Sequence, residues 1–369
     1  MKKFVLVMIF FAVIVSVHSS YAQGCVAVRH MSCAIGGLNN TELFKQENGH
    51  WQFTSSYRYF KSFRHFVGDV ENTDRITNNT NVINLTHAVD LGILYSPNLR
   101  WTFGAYLPLQ WNDRSSLYEH YGNSLTSNPQ QLRFHSGSRG IGDARFNASY
   151  WLVDPSKLKP YNFSIGLGIK LPTGNDGVTD QFHRLDKEKK DYTVTLPVDQ
   201  SIQLGDGGVG FSIESQGYYQ FSNRFTWYYN AFYLSNPKST NGIVRNPTST
   251  TTDPIIKEFS VADQFGGRTG ITYNLGHGFS ALAGGRIEGI PSSDLIGNDL
   301  GFRRPGYIIS GEPGVAYMNN KITFIATVPV ALYRNRTKSY YDLQDPTGVR
   351  HGDAAFADYL ISLTASYRF

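Results

Sequence analysis

The chain closes on Asp358-Tyr359-Leu360-Ile361-Ser362-Leu363-Thr364-Ala365-Ser366-Tyr367-Arg368-Phe369, and the reading of this stretch decides the fold. Tyr359, Ile361, Leu363, Ala365, Tyr367 and Phe369 share one parity; Asp358, Leu360, Ser362, Thr364, Ser366 and Arg368 share the other. A period of two belongs to a β-strand, here with one apolar face and one mostly polar face. Termini of soluble domains usually fray in water, which makes an edge strand of a soluble sandwich the weaker reading. The closing strand of an outer-membrane barrel meets lipid with its apolar face and pairs with the first strand, so it accounts for both faces.

The N-terminus points to the same compartment. Lys2 and Lys3 precede an apolar run from Phe4 to Val17, and Ser20-Tyr21-Ala22 is a small-x-small cleavage site, so residues 1–22 read as a secretory signal peptide. Cys25 is a poor lipidation site, because Ala22-Gln23-Gly24 lacks the apolar residue three positions before it. Residues 23–50 are expected to form a periplasmic lead-in or a plug, with Cys25 and Cys33 joined in a disulfide; two buried free thiols are the alternative. Two cysteines and His30 are too few for a metal site, and no cofactor is expected.

Bulk composition agrees with a β protein. The chain has 23 Tyr, 24 Phe and 36 Gly but 4 Met and 2 Cys, which suits strands better than helices. Mean hydropathy is −0.30, but a barrel hides its hydrophobicity by alternation, so this average decides nothing. No apolar run reaches the ~18–20 residues of a spanning helix. The net charge of +5 is mild: it favours contact with anionic lipopolysaccharide, a solvated surface is the plainer reading, and nothing points to nucleic acid.

From Trp51 onward, strands and loops alternate. Residues 51–60, 82–95, 100–111, 142–152, 161–171, 208–221, 224–234, 259–275, 278–290, 306–317, 321–333 and 358–369 each carry an apolar stripe of one parity. The count is about twelve strands of ~10–14 residues, and connections alternate between short turns and long loops. The expected architecture is an all-β, transmembrane antiparallel barrel over residues 51–369 in the bacterial outer membrane, with short periplasmic turns and long extracellular loops. Trp51, Trp101, Trp111 and Trp227 fall on the outward parity as girdle residues; Trp151 falls on the inward one. Pro108, Pro313 and Pro329 lie inside predicted strands and argue for bulges.

The inward parity collects charge: Arg58, Asp90, Asp143, Arg145, Lys170, Glu214, Arg268, Arg286, Glu288, Glu312, Asp358 and Arg368. On a lipid face each Arg or Lys would cost ~2–4 kcal/mol near the midplane, so these groups belong in the lumen. There they either orient and select a permeant or form a packed polar core, narrowed further by Tyr218, Tyr228 and Phe232.

A search for catalysis gives little, and an enzyme is not expected. No HExxH, GxSxG or Walker sequence is present. His87 lies on the outward parity, and an outer-membrane lipase would need it beside a serine such as Ser55; an interfacial His is the plainer reading. His351, Asp353 and Asp358 are close in sequence and would have to gather at the loop end to resemble a protease site. Arg303 and Arg304 read as a loop pinned by carboxylates such as Asp294 and Asp299, with lipopolysaccharide phosphate as the alternative partner.

Several segments resemble a family of exported barrels labelled as outer-membrane proteins of the meta-pathway of phenol degradation. They are GCVAVRHMSC, GIKLPTGN, PVDQSIQLGDGGVG, VADQFGGRTGITY, RIEGIPSSDLIGNDLGFRRPGY, VPVALYRNR and the terminal YRF, in order along nearly all of the mature chain. The resemblance implies a barrel that transports small hydrophobic or aromatic compounds, and it brings no catalytic residues. The expected function is thus a channel or transporter for small solutes; a closed structural or adhesive barrel is the alternative, and a lipid hydrolase the third reading. By resemblance to other barrels, Tyr367 and Phe369 read as a recognition tag for the barrel-assembly machinery. The expected surroundings are the lipid bilayer and lipopolysaccharide.

Overall fold

The computed structural model describes residues 49–250 and 252–369. The signal peptide, most of the expected plug and both cysteines lie outside the described residues. Twelve antiparallel strands close into a barrel. They are β1 (His50–Val67), β2 (Ile83–Ser96), β3 (Trp101–Ser116), β4 in two pieces (Phe134–Ile141 and Arg145–Trp151), β5 (Tyr161–Lys170) and β6 (Gly210–Gln220). The circuit continues with β7 (Phe225–Ser235), β8 (Gln264–Gly276), β9 (Phe279–Ile290), β10 (Gly306–Met318), β11 in two pieces (Ile322–Thr327 and Val330–Asn335) and β12 (Ala354–Arg368). Each strand pairs with its neighbours in sequence, and β12 pairs with β1 from Gln52↔Arg368 to Phe66↔Ala354. The amide N–H groups of Trp51 and Phe369 donate to each other's carbonyls at 3.0 and 2.9 Å, which closes the ring at the very end of the chain. Closure leaves no unpaired sheet edge to meet lipid. Among the described residues, no helix is long and apolar enough to cross a membrane.

The short connections are built by local turn chemistry. Between β2 and β3, the Asn98 side chain accepts from the amides of Arg100 and Trp101 at 2.9 and 3.0 Å. Between β8 and β9, His277 (φ 54°) and Gly278 (φ 82°) both adopt left-handed backbone, the signature of a tight hairpin turn. At the opposite end the connections are long. The loop after β5 carries its own hairpin (Thr179–Leu185 and Asp191–Pro197), whose tip, residues 186–190, holds the exposed charge run.

Outward side chains form an exposed apolar belt. Trp111 is 47% exposed, Leu167 64% and Ile213 64%, and Phe53, Phe103, Phe211, Phe324, Leu363 and Tyr367 are likewise open. So large an apolar surface is incompatible with water and fits lipid. Trp51, Trp101 and Trp227 lie at the turn end of their strands and Trp111 lies toward the loop end, while Trp151 turns inward against Tyr218 with ring centroids 5.9 Å apart.

Strand boundaries differ from expectation in five places. β1 runs to Val67 and β3 to Ser116, past the expected ends near 60 and 111. Phe134–Ile141 is strand where a loop to about Arg139 was expected. Phe259 and Ser260 pair in a loop hairpin with Thr240–Val244 and do not begin β8. β12 starts at Ala354, and Ala354 to Ala357 are all buried, with Ala354 and Phe356 packed against Phe66, Ile308 and Ala331. A buried run of that kind shows no alternation, so periodicity could not find it.

Candidate functional site

The inward residues of the barrel divide into two charged walls. On one, Arg58 of β1 donates through Nε to Asp90 of β2 at 3.1 Å. Asp143 sits in the gap between the two pieces of β4 rather than in a strand; its carboxylate accepts the amides of Gly174 at 3.0 Å and Asp206 at 3.1 Å. Lys170, at the end of β5, is ion-paired with Asp206. Glu214 of β6 accepts from Asn147 at 2.8 Å and from Ser212 at 2.9 Å. Arg145 is buried beside them, and the space left between Tyr106, Arg145, Lys170, Ser212 and Glu214 is about 10 Å³, roughly enough for one water.

The second wall spans β8 to β11. Arg286 donates to Glu288 at 2.7 Å and lies 3.8 Å from Glu312, as does Arg268; Thr327 donates its hydroxyl to Glu312 at 3.2 Å. Two arginines thus face two glutamates. The remaining two charges of the set lie at opposite ends: Asp358 near the loop end, 3.8 Å from Arg64, and Arg368 at the turn end. Tyr218, Tyr228 and Phe232 are buried on the inward parity; Tyr228 packs in an apolar layer with Leu282, Ala316, Met318 and Ile325.

The loop end opens into a vestibule of about 480 Å³. Its walls are rich in arginine and aromatic groups. Arg114 bonds Glu119 at 2.9 Å and lies 3.4 Å from Asp199, while Arg304 grips both oxygens of Asp199 at 2.9 and 2.8 Å. Burial opposes ionisation of Asp199, but Arg114 and Arg304 hold its carboxyl well below the usual carboxylate range. Asp353 is likewise disfavoured by burial, yet the bonds from His65 (3.0 Å) and Arg75 (2.9 Å) bring it down to about 2. Arg303 is pinned by Asp294 at 2.7 Å and lies 3.9 Å from Asp299, as the sequence suggested; Arg304 takes Asp199 from another loop instead.

Sequence reasoning missed Arg64, Arg114 and Asp206. Arg64 and Arg114 continue the inward parity of β1 and β3 beyond the expected strand ends, so extending the alternation would have found them. Asp206 lies in the returning loop, and no local signal marks it. The candidate catalytic groupings do not assemble. The His87 ring accepts or donates at 2.8 Å to the Tyr57 hydroxyl, and Ser55 lies opposite Leu91 rather than beside it. His351 bonds the Arg336 carbonyl, whereas Asp353 and Asp358 turn to other partners.

No family model matches the sequence, and no curated protein matches it, so the phenol-pathway label rests on the motifs alone. Among solved structures, the chain is similar to an outer-membrane channel from Pseudomonas putida F1, with 10% identity, 88% of this chain and 97% of that chain covered, and a TM-score of 0.53. Looser likenesses are to the β domain of the Bordetella autotransporter BrkA (12% identity, 88% and 100% covered, TM-score 0.45) and to the Ralstonia pickettii toluene transporter TbuX (11%, 90% and 92%, TM-score 0.44). The first likeness and the lipid-facing belt agree on the fold: the chain is a twelve-stranded antiparallel barrel of the bacterial outer membrane.

Proposed function

We propose that this barrel is an outer-membrane channel or transporter for small solutes, hydrophobic or aromatic ones among them, as the motifs resembling the phenol meta-pathway family imply. The observation that carries the reading is a 480 Å³ mouth at the loop end of a lipid-facing barrel whose interior bears two walls of charge. In this role the charges of Arg58, Asp90, Asp143, Arg145, Lys170, Glu214, Arg268, Arg286, Glu288 and Glu312 orient and select the permeant. Tyr367 and Phe369 hand the chain to the assembly machinery, and the outer loops meet lipopolysaccharide. Conductance in planar bilayers and swelling of proteoliposomes in small neutral solutes test the proposal; folded protein that gives neither refutes it.

The 10 Å³ cavity among the charges favours a second reading, a closed barrel acting through its loops. The same measurement separates the two.

A further inference from the structure

Within the vestibule, Arg245 stands apart from the other arginines. Arg75, Arg114, Arg303, Arg304 and Arg336 each have a carboxylate within 4 Å. Arg245 has none among the described residues; its guanidinium lies 4.1 Å from the centroid of the Phe302 ring, and that of Arg304 lies 4.6 Å from the same ring. Phe302 therefore carries two cations, of which only Arg304 is neutralised by a bound acid. Arg350 shows a related arrangement: it stacks 4.2 Å from the Tyr341 ring and donates to the Tyr341 carbonyl at 3.0 Å. Stacking fixes a guanidinium plane while leaving N–H donors free at its edge. Burial, and then the neighbouring Arg304, lower the Arg245 pKa, with Asp199 acting in the opposite direction. An incoming anion would relieve the cost of burial and gain charge-assisted hydrogen bonds.

We propose that the vestibule is a binding site for an anionic group, a carboxylate or a phosphate, held by Arg245 and Arg350, with Phe302, Tyr341 and Ile256 receiving the apolar or aromatic body attached to it. This rests on reading the mouth as the entrance for a permeant, and it narrows the substrate class to amphipathic small acids. Asp199 does not compete for Arg245, because its oxygens are taken by Arg304, Arg114 and the Ser201 amide and hydroxyl.

The test uses the full-length barrel folded in detergent, with folding checked by heat-modifiable gel mobility. Binding of benzoate, benzyl alcohol and inorganic phosphate is measured by calorimetry for the native chain and for Arg245→Gln and Arg350→Gln. The expected result is benzoate binding that phosphate competes away, a benzyl alcohol affinity at least about tenfold weaker, and loss of about tenfold in each variant. Equal affinity for benzoate and benzyl alcohol, or variants that bind like the native chain, overturns the proposal. A third arm adds vesicles containing anionic lipid: retention of the barrel on vesicles that Arg245→Gln abolishes, without benzoate binding, assigns the anion to a lipid headgroup and overturns the small-acid assignment. Conductance is recorded on the same samples. A conducting barrel that ignores benzoate sinks this inference alone, whereas a non-conducting barrel that binds benzoate sinks the channel reading and leaves the site standing.

Discussion

Replacing Glu312 by Gln isolates the charge of the β8–β11 wall. Glu312 is 1% exposed, lies 3.8 Å from both Arg268 and Arg286, and accepts a hydrogen bond from Thr327. Gln keeps the shape and an acceptor for Thr327, so only the charge is lost. At an effective dielectric constant of about 20, each contact at that distance is worth roughly 4 kcal/mol before desolvation. Desolvation offsets much of this, and orphaning a buried charge costs about 3–5 kcal/mol. Glu312→Gln should therefore destabilise the barrel by about 3–5 kcal/mol. Urea titration in lipid vesicles, followed by tryptophan fluorescence, measures it. It also takes one negative charge away from beside Arg268 and Arg286, so the reversal potential in a salt gradient should move toward anion preference. Adding Arg268→Gln should recover part of the stability, since it removes one of the two cations that Glu312 faced. A Glu312→Gln barrel as stable as the native one, with an unchanged reversal potential, refutes the claim that this wall is a coupled charge network.

Acid should loosen the loop end. Asp353 is held at about 2, below its ordinary 3.8, so its contribution is complete above roughly pH 4 and disappears as pH falls toward 2. That difference is worth about 2 kcal/mol; limited proteolysis of the loop over residues 336–353 should accelerate across this window, and Asp353→Asn should abolish the acceleration. Thr173→Val removes a hydroxyl that donates to the Gly142 carbonyl at 2.9 Å and accepts from the Ala144 amide at 2.8 Å, and should cost about 1–3 kcal/mol in the same urea titration. Deleting Phe369 should lower the amount of barrel inserted in membranes of intact cells; normal insertion would count against its role as an assembly tag.

The fold was legible because lipid enforces a strict rule. Any strand with lipid on one side and lumen on the other must alternate, and from Tyr359 to Phe369 nothing interrupts the pattern. Legibility failed where no apolar stripe marks the alternation. Ala354 to Ala357 are buried at consecutive positions, and Phe134 to Ile141 alternate in burial (Ser136 and Ser138 in, His135 and Arg139 out) with polar residues on both faces. The candidate site divides the same way. Arg58, Glu214 and Glu312 could be placed by parity alone. The vestibule could not, because Asp199, Arg245 and Arg304 meet from three different loops and their proximity is a property of the folded chain.

The prolines connect these two parts. Each was expected to bulge its own strand, but only Pro329 does so, lying in the gap that divides β11. Pro108 and Pro313 stay within continuous strands, and the interruption falls in the strand beside each. The Pro108 carbonyl accepts from the Gly142 amide at 2.8 Å, so its nitrogen also faces β4 and offers no hydrogen in return. The Gly142 carbonyl is left without its ladder donor, and the Thr173 hydroxyl supplies one. The ladder then breaks from 142 to 144, which frees Asp143 to turn inward and collect the amides of Gly174 and Asp206. At the other wall, Pro313 accepts from Val328 beside the gap at Pro329, and Thr327 at that gap donates to Glu312. Both ladder breaks therefore coincide with a charged wall. A missing backbone donor on each side supplies the local freedom that a regular strand lacks, and the lumen charges are placed where that freedom lies.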